Sequence, residues 1–142
     1  MYRSRIYIDL GIQDFDSSVC WMMQNYPVKF DFVYGFESAR DLSNLSAFHD
    51  TIDRCINGTA AATRDYDIGE VMETFTFYYN TIGLEDDPQT TPSTRGLRQF
   101  IKDIGIVEED FVVLKMDVEG LEFDLINHLI EDGTHILLDE VR

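Results

Sequence analysis

The chain has 142 residues, 11 of them lysine or arginine against 27 aspartates and glutamates, giving a formal net charge of −16. So acidic a surface repels phosphate backbones and anionic headgroups, which excludes nucleic acid and direct membrane contact as partners. With 44% hydrophobic and 13% aromatic residues, the chain carries apolar surface for the core of one domain spanning residues 1–142.

Met1–Arg5 leads directly into Ile6–Leu10, a short apolar, β-rich run closed by Gly11 that reads as a buried strand. The run is too short for a signal peptide or a membrane span. No targeting signal is therefore expected in this segment, and the cytoplasm is the default compartment. Asp14, Asp16, Ser17 and Ser18 then offer N-cap oxygens to a helix whose inward face is Val19, Met22, Met23 and Tyr26, stopped by Pro27. Phe30–Phe36 is a second strand, ending on Glu37. Asp41 or Ser43 caps a helix with Leu45, Phe48, Ile52 and Ile56 inward.

Asn57-Gly58 is a turn, after which Thr59–Thr63 reads as a weak third strand, and Met72–Tyr79, crowded with Thr, Phe and Tyr, reads as another. Asn80–Thr94 has no apolar period and is expected to be a loop, either mobile or an active-site lid. Leu97, Phe100, Ile101 and Ile104 mark a helix closed by Gly105. Phe111–Met116 is the most strand-like run and ends in Asp117-Val118-Glu119-Gly120. Leu121, Leu125, Ile126, Leu129 and Ile130 line a further helix stopped by Gly133, and Ile136-Leu137-Leu138 begins a last strand. Cys20 and Cys55 lack metal or framework spacing and read as reduced core thiols. His49, His128 and His135 are scattered, so no metal site is expected.

Strands alternating with helices imply a Rossmann-like, doubly wound, mostly parallel α/β sheet with helices on both faces. Ligands in such sheets bind beyond the carboxyl ends of the strands, where strand order reverses. Three strand ends carry acids: Asp9 beside Gly11, Glu37, and Asp117 with Glu119. Gly11, lacking a Cβ, lets the backbone lie against a ligand, and Glu37 stands where a carboxylate accepts ribose hydroxyl protons. Gly11–Asp16 is no phosphate-cradling glycine fingerprint, and Asp14 and Asp16 repel a pyrophosphate. A sulfonium cofactor such as S-adenosylmethionine is instead attracted by acidic surroundings. The plainer alternative is that these acids are solvated strand ends, with Asp117 capping the following helix and Glu119 in its first turn.

Phe111–Ile126 resembles the lysine, apolar, Asp-Val-Glu-Gly signature of the FkbM-type class I S-adenosylmethionine-dependent methyltransferases, particularly the FkbM-like domain of plant proteins. Tyr7–Gly11 is similar to the family's first cofactor motif, Ser17-Ser18 to paired serines of the plant members, and Tyr34–Glu37 to the acidic second motif. Ala60-Ala61 resembles a small-residue pair after the third strand, and Leu138-Asp139-Glu140 the segment before a distal Glu-x-His region. The resemblance implies that Asp9 and Gly11 shape the pocket around the methionine moiety and that Glu37 holds the ribose hydroxyls. Asp117 and Glu119 then face the transferring methyl, with Asp117 as base or acceptor-orienting residue. The implied reaction moves a methyl group from S-adenosylmethionine to an oxygen, or less readily a nitrogen, of a small molecule or glycan.

Gln13 and Phe15 stand where the family has further glycines, Phe15 being large enough to crowd the cofactor. The chain also stops before the family's last antiparallel strands, as expected of a piece of a longer protein, and the resemblance implies relatives that often carry a membrane anchor upstream. The rival reading is a non-catalytic Rossmann-like interaction module that has lost cofactor binding; a different nucleotide-dependent enzyme on the same architecture is a third.

Overall fold

The computed structural model describes residues 1–58 and 65–142. In the first half, β1 (Arg5–Leu10), α1 (Trp21–Asn25), β2 (Phe32–Glu37) and α2 (His49–Ile56) alternate. They are followed by α3 (Ile68–Thr74), β3 (Phe75–Tyr79), β4 (Thr81–Gly83), β5 (Thr94–Gly96) and α4 (Leu97–Asp103). The chain ends with β6 (Phe111–Met116), α5 (Glu122–Glu131) and β7 (Glu140–Val141). The expected strand over Thr59–Thr63 and the Ala60-Ala61 pair lie outside the described residues.

Five of these strands form one parallel sheet in the order β3-β2-β1-β6-β7. The chain builds outward from β1 in one direction through β2 and β3 and in the other through β6 and β7. Strand order therefore reverses between β1 and β6, an arrangement compatible with a Rossmann-like fold. In β1 every residue after Arg5 is buried, as a parallel strand covered on both faces requires. The pleat divides its side chains. Tyr7 joins Val33, Phe75, Phe77 and Val113 in a layer under Met22, Met23, Ile52 and Val71 of α1 to α3. Ile6, Ile8 and Leu10 face Leu97, Phe100, Ile101, Leu125 and Leu129 of α4 and α5.

Several elements depart from expectation for identifiable reasons. Met72–Tyr79 is not all strand: the Asp67 carboxylate caps α3 by accepting from the Gly69 N–H at 2.7 Å, and the helix runs to Thr74 before Phe75 enters the sheet. Ile136-Leu137 lies in a 3-10 turn that starts where Gly133 adopts φ +81°, and the edge strand forms at Glu140–Val141 instead. Asn80–Thr94 is partly ordered, since β4 pairs in parallel with β5 and Ile82 buries in the second layer. The Asp86 carboxylate helps close the segment by accepting from the Gly96 N–H at 2.7 Å.

Phe15–Cys20 forms a π-helical turn capped by Asp14, leading into α1. Cys20 and Cys55 are not reduced thiols: packing of the end of this turn against α2 brings their Cα atoms to 5.7 Å and they are joined as a disulfide. Below the sheet, Arg3 donates from Nε (2.8 Å) and Nη2 (2.7 Å) to the buried Asp110 carboxylate, tying the start of β1 to the turn before β6. Among the described residues, no helix is long and apolar enough to cross a membrane.

Candidate functional site

The carboxyl ends of β1, β2 and β6 meet at the reversal of strand order. The Asp117 N–H donates to the Leu10 carbonyl at 2.9 Å, so the segment leaving β6 is fastened to the end of β1. On the other side, the Gly11 and Ile12 N–H groups both donate to the Phe36 carbonyl, at 3.0 and 3.1 Å. Gly11 adopts φ +94°, and a Cβ there would lie 2.5 Å from the Asp117 carbonyl oxygen. The missing side chain thus makes room first for the neighbouring loop rather than for a ligand.

Glu37, at the end of β2, is buried and held from two directions. Its Oε1 accepts from the Gln13 N–H at 2.9 Å and its Oε2 from the Ala39 N–H at 2.5 Å. Gln13 reaches this position with φ +63°, the one non-glycine at positive φ among the described residues. A side chain in the left-handed region is uncommon and marks a constrained turn. Here the constraint aims a backbone N–H at a carboxylate.

These ends enclose a cleft of about 440 Å³ lined by Gly11, Gln13, Glu37, Ile82, Asp117 and Glu119 among others. Four of the five residues expected at a site, Gly11, Glu37, Asp117 and Glu119, therefore share one cavity wall. Among the described residues, no lysine, arginine or histidine lines it. The capping half of the plainer expectation fails, because α5 starts at Glu122 with Leu121 in the cap position and no side-chain cap hydrogen bond, whereas its other half holds for Asp117 and Glu119, both of which are exposed to solvent. Phe15 does not crowd the cleft: its ring is buried in the first core layer against Phe77, with centroids 6.0 Å apart.

Asp9 is the exception among the expected site residues. It does not line the cleft; it is fully buried on the opposite pleat from Leu10, register partner of Lys115. Lys115 Nζ donates to Asp9 Oδ1 at 3.1 Å and to Ser18 Oγ at 2.9 Å, and Ser18 Oγ in turn donates to Asp9 Oδ2. Burial pushes the Asp9 carboxyl up, against the opposing pull of Lys115 and Ser18. Lys115 is a residue beside the cleft to which sequence reasoning gave no role of its own. Its signals were its place as the lysine of the resembled signature and as a cation two residues before Asp117, and they gain meaning once β1 and β6 are known to be neighbours.

Lys115 also lines a second cavity of about 430 Å³ together with Ser17, Ser18, Trp21, Asp117 and Arg142. The two cavities meet at Asp117. Beside the second, Tyr26 donates from its hydroxyl to Glu140 Oε2 at 2.5 Å, and Arg142 Nε contacts Glu140 Oε1 at 3.2 Å. Among the described residues, no group of three or more histidines, cysteines and acids is placed to hold a metal ion.

No protein-family model matches this chain, and no curated protein matches it either.

Proposed function

We propose that the chain is an FkbM-like methyltransferase domain that moves a methyl group from S-adenosylmethionine to an oxygen, less readily a nitrogen, of a small molecule or glycan. One observation carries this reading: among the described residues, the cleft at the strand-order reversal is walled by the carboxylates of Glu37, Asp117 and Glu119 and by no cationic side chain. Its volume of about 440 Å³ falls in the range of small-molecule pockets, roughly 300–1,000 Å³. Phosphates would be repelled there, whereas a cationic ligand is attracted.

The donor, when bound, supplies a methyl group on positively charged sulfur. The rest of the work falls to the chain. Each Glu37 oxygen already accepts one backbone N–H and retains a second lone pair for a ribose hydroxyl. The two fixed donors hold that carboxylate in place before a ligand arrives, so little ordering remains on binding. Gly11 and Asp117 together set the separation of the cleft walls. The Asp117 carboxylate takes the proton of the acceptor hydroxyl as general base, and positioning of that hydroxyl supplies the larger part of the acceleration. Asp9 serves this site from beneath, by fixing Lys115 and Ser18.

Calorimetric titration with S-adenosylmethionine and S-adenosylhomocysteine tests the reading. Saturable binding of both is expected. No heat of binding, or displacement by a nicotinamide or nucleoside phosphate ligand, would overturn it in favour of the interaction module or of a different nucleotide-dependent enzyme.

A further inference from the structure

The two cavities that meet at Asp117 have opposite electrostatic character. Among the described residues, the charged side chains lining the first are all carboxylates, while the second presents Lys115 and Arg142 with Asp117 as its one acid. In a chain of net charge −16, two of its 11 lysines and arginines thus converge on one hollow. Their ion-pair partners, the buried Asp9 and the partly exposed Glu140, do not line the cavity. The hollow therefore meets the cations and not the acids that hold them. Lys115 gives two hydrogen bonds, to Asp9 and Ser18, of the three an ammonium offers; Arg142 contacts Glu140 through Nε, and its two terminal amino groups remain donors. The hydroxyls of Ser17 and Ser18 and the half-exposed Trp21 ring, with the Arg142 guanidinium 5.9 Å from its centroid, complete the walls.

We propose that this second cavity is the acceptor subsite and that the acceptor is a hydroxy acid, its carboxylate on Lys115 and Arg142 and its hydroxyl at Asp117. The inference rests on the methyl-transfer reading of the adjoining cleft and narrows its acceptor class. A charge-assisted pairing with an ammonium and a guanidinium anchors the carboxylate end. The shared Asp117 then lies between that anchor and the methyl donor. The acceptor oxygen bonds the methyl carbon as the carbon–sulfur bond breaks with its electron pair left on sulfur, and the hydroxyl proton passes to the Asp117 carboxylate. The products are a methoxy acid and S-adenosylhomocysteine.

Trp21 is the only tryptophan in the chain, so intrinsic fluorescence reads occupancy of this cavity directly. The probes are lactate, mandelate and quinate, each compared with a neutral hydroxylated counterpart, with and without saturating S-adenosylhomocysteine. At least one acid is expected to give a saturable change, about tenfold tighter than its neutral counterpart and about tenfold weaker in Arg142→Gln, each tenfold step being a difference of one charge-assisted contact. The acid must also bind when S-adenosylhomocysteine is present.

No response to any acid, equal response to the neutral probes, or an unchanged affinity in Arg142→Gln overturns the inference; the comparison of acid with neutral probe needs no variant to fold. Mutual displacement by S-adenosylhomocysteine overturns the acceptor role. Binding of S-adenosylhomocysteine without any acid sinks this inference alone, whereas binding of an acid without S-adenosylhomocysteine sinks both it and the methyltransferase reading.

Discussion

The Asp117 carbonyl oxygen stands 2.5 Å from the point that a Cβ on Gly11 would occupy, so the loops leaving β1 and β6 are in backbone contact across the floor of the cleft. Gly11→Ala must both adopt φ +94° with a side chain and push Asp117 away. A destabilisation of about 2–4 kcal/mol is expected from strain and overpacking together, with loss of S-adenosylhomocysteine binding. Urea denaturation measures the first; an unchanged midpoint would show that the two loops are not in contact.

Glu37 receives two backbone N–H groups, from Gln13 and Ala39. In Glu37→Gln one accepting oxygen becomes an amide that faces a donor, so stability drops by about 1–3 kcal/mol. Affinity for S-adenosylhomocysteine falls by about tenfold or more, as for the loss of a charged acceptor. Calorimetry and denaturation on the same preparation check both figures.

Removing the Lys115 ammonium leaves the Asp9 carboxylate buried and facing only Ser18. Lys115→Met is therefore expected to cost on the order of 3 kcal/mol. The double variant Asp9→Asn with Lys115→Met should recover much of that loss. A double variant no more stable than the single one would mean that the pair is not the source of the cost.

Two carboxyls set the acid response in opposite senses. Hydrogen bonding from Arg3 holds the Asp110 carboxyl below the usual carboxylate range, so its contribution to stability is present above that range and is lost as pH falls through the depressed value. Burial raises Asp9, so its contribution is greatest at low pH and is lost as pH rises through the elevated value. Thermal midpoints followed from about pH 7 down to about pH 3, across the ordinary carboxylate range, should fall less steeply for Asp110→Asn than for the unsubstituted chain.

The Cys20–Cys55 bond closes a loop with a sequence separation of 35. Reduction should lower stability by roughly 2–4 kcal/mol on the chain-entropy account. Denaturation with and without a thiol reductant measures it, and identical curves would show that the cross-link carries none of the stability.

The central strands were legible because short β-branched and aromatic runs that close on an acid or a glycine leave few alternatives, and α4 and α5 because apolar residues recur on one face up to Gly105 and Gly133. Met72–Tyr79 misled because three helical residues ahead of a strand carry no period of their own, and the Asp67 cap that fixes the helix lies five residues upstream of Met72. That Gly11, Glu37, Asp117 and Glu119 line one cleft was legible because each stands at or just after the end of a strand, and parallel topology gathers strand ends. Asp9 was misplaced by one step of the pleat: Leu10 and Asp9 point to opposite faces, and only the register with Lys115, 106 residues away, shows which face holds a cation. The cysteine pair was hidden for the same reason, since helix packing rather than spacing brings it together.

The cross-link lies wholly on the side of the sheet that holds α1 to α3, while α4 and α5 pack on the other side without one. Reducing solvent should accordingly loosen one slab of the molecule and spare its opposite, and amide exchange quickened around Met22 and Ile52 but unaltered around Phe100 and Leu125 would be its signature. The turn bearing Ser17 and Ser18 belongs to the responsive slab, which makes the hollow beside Trp21 the part of the molecule most exposed to its redox surroundings.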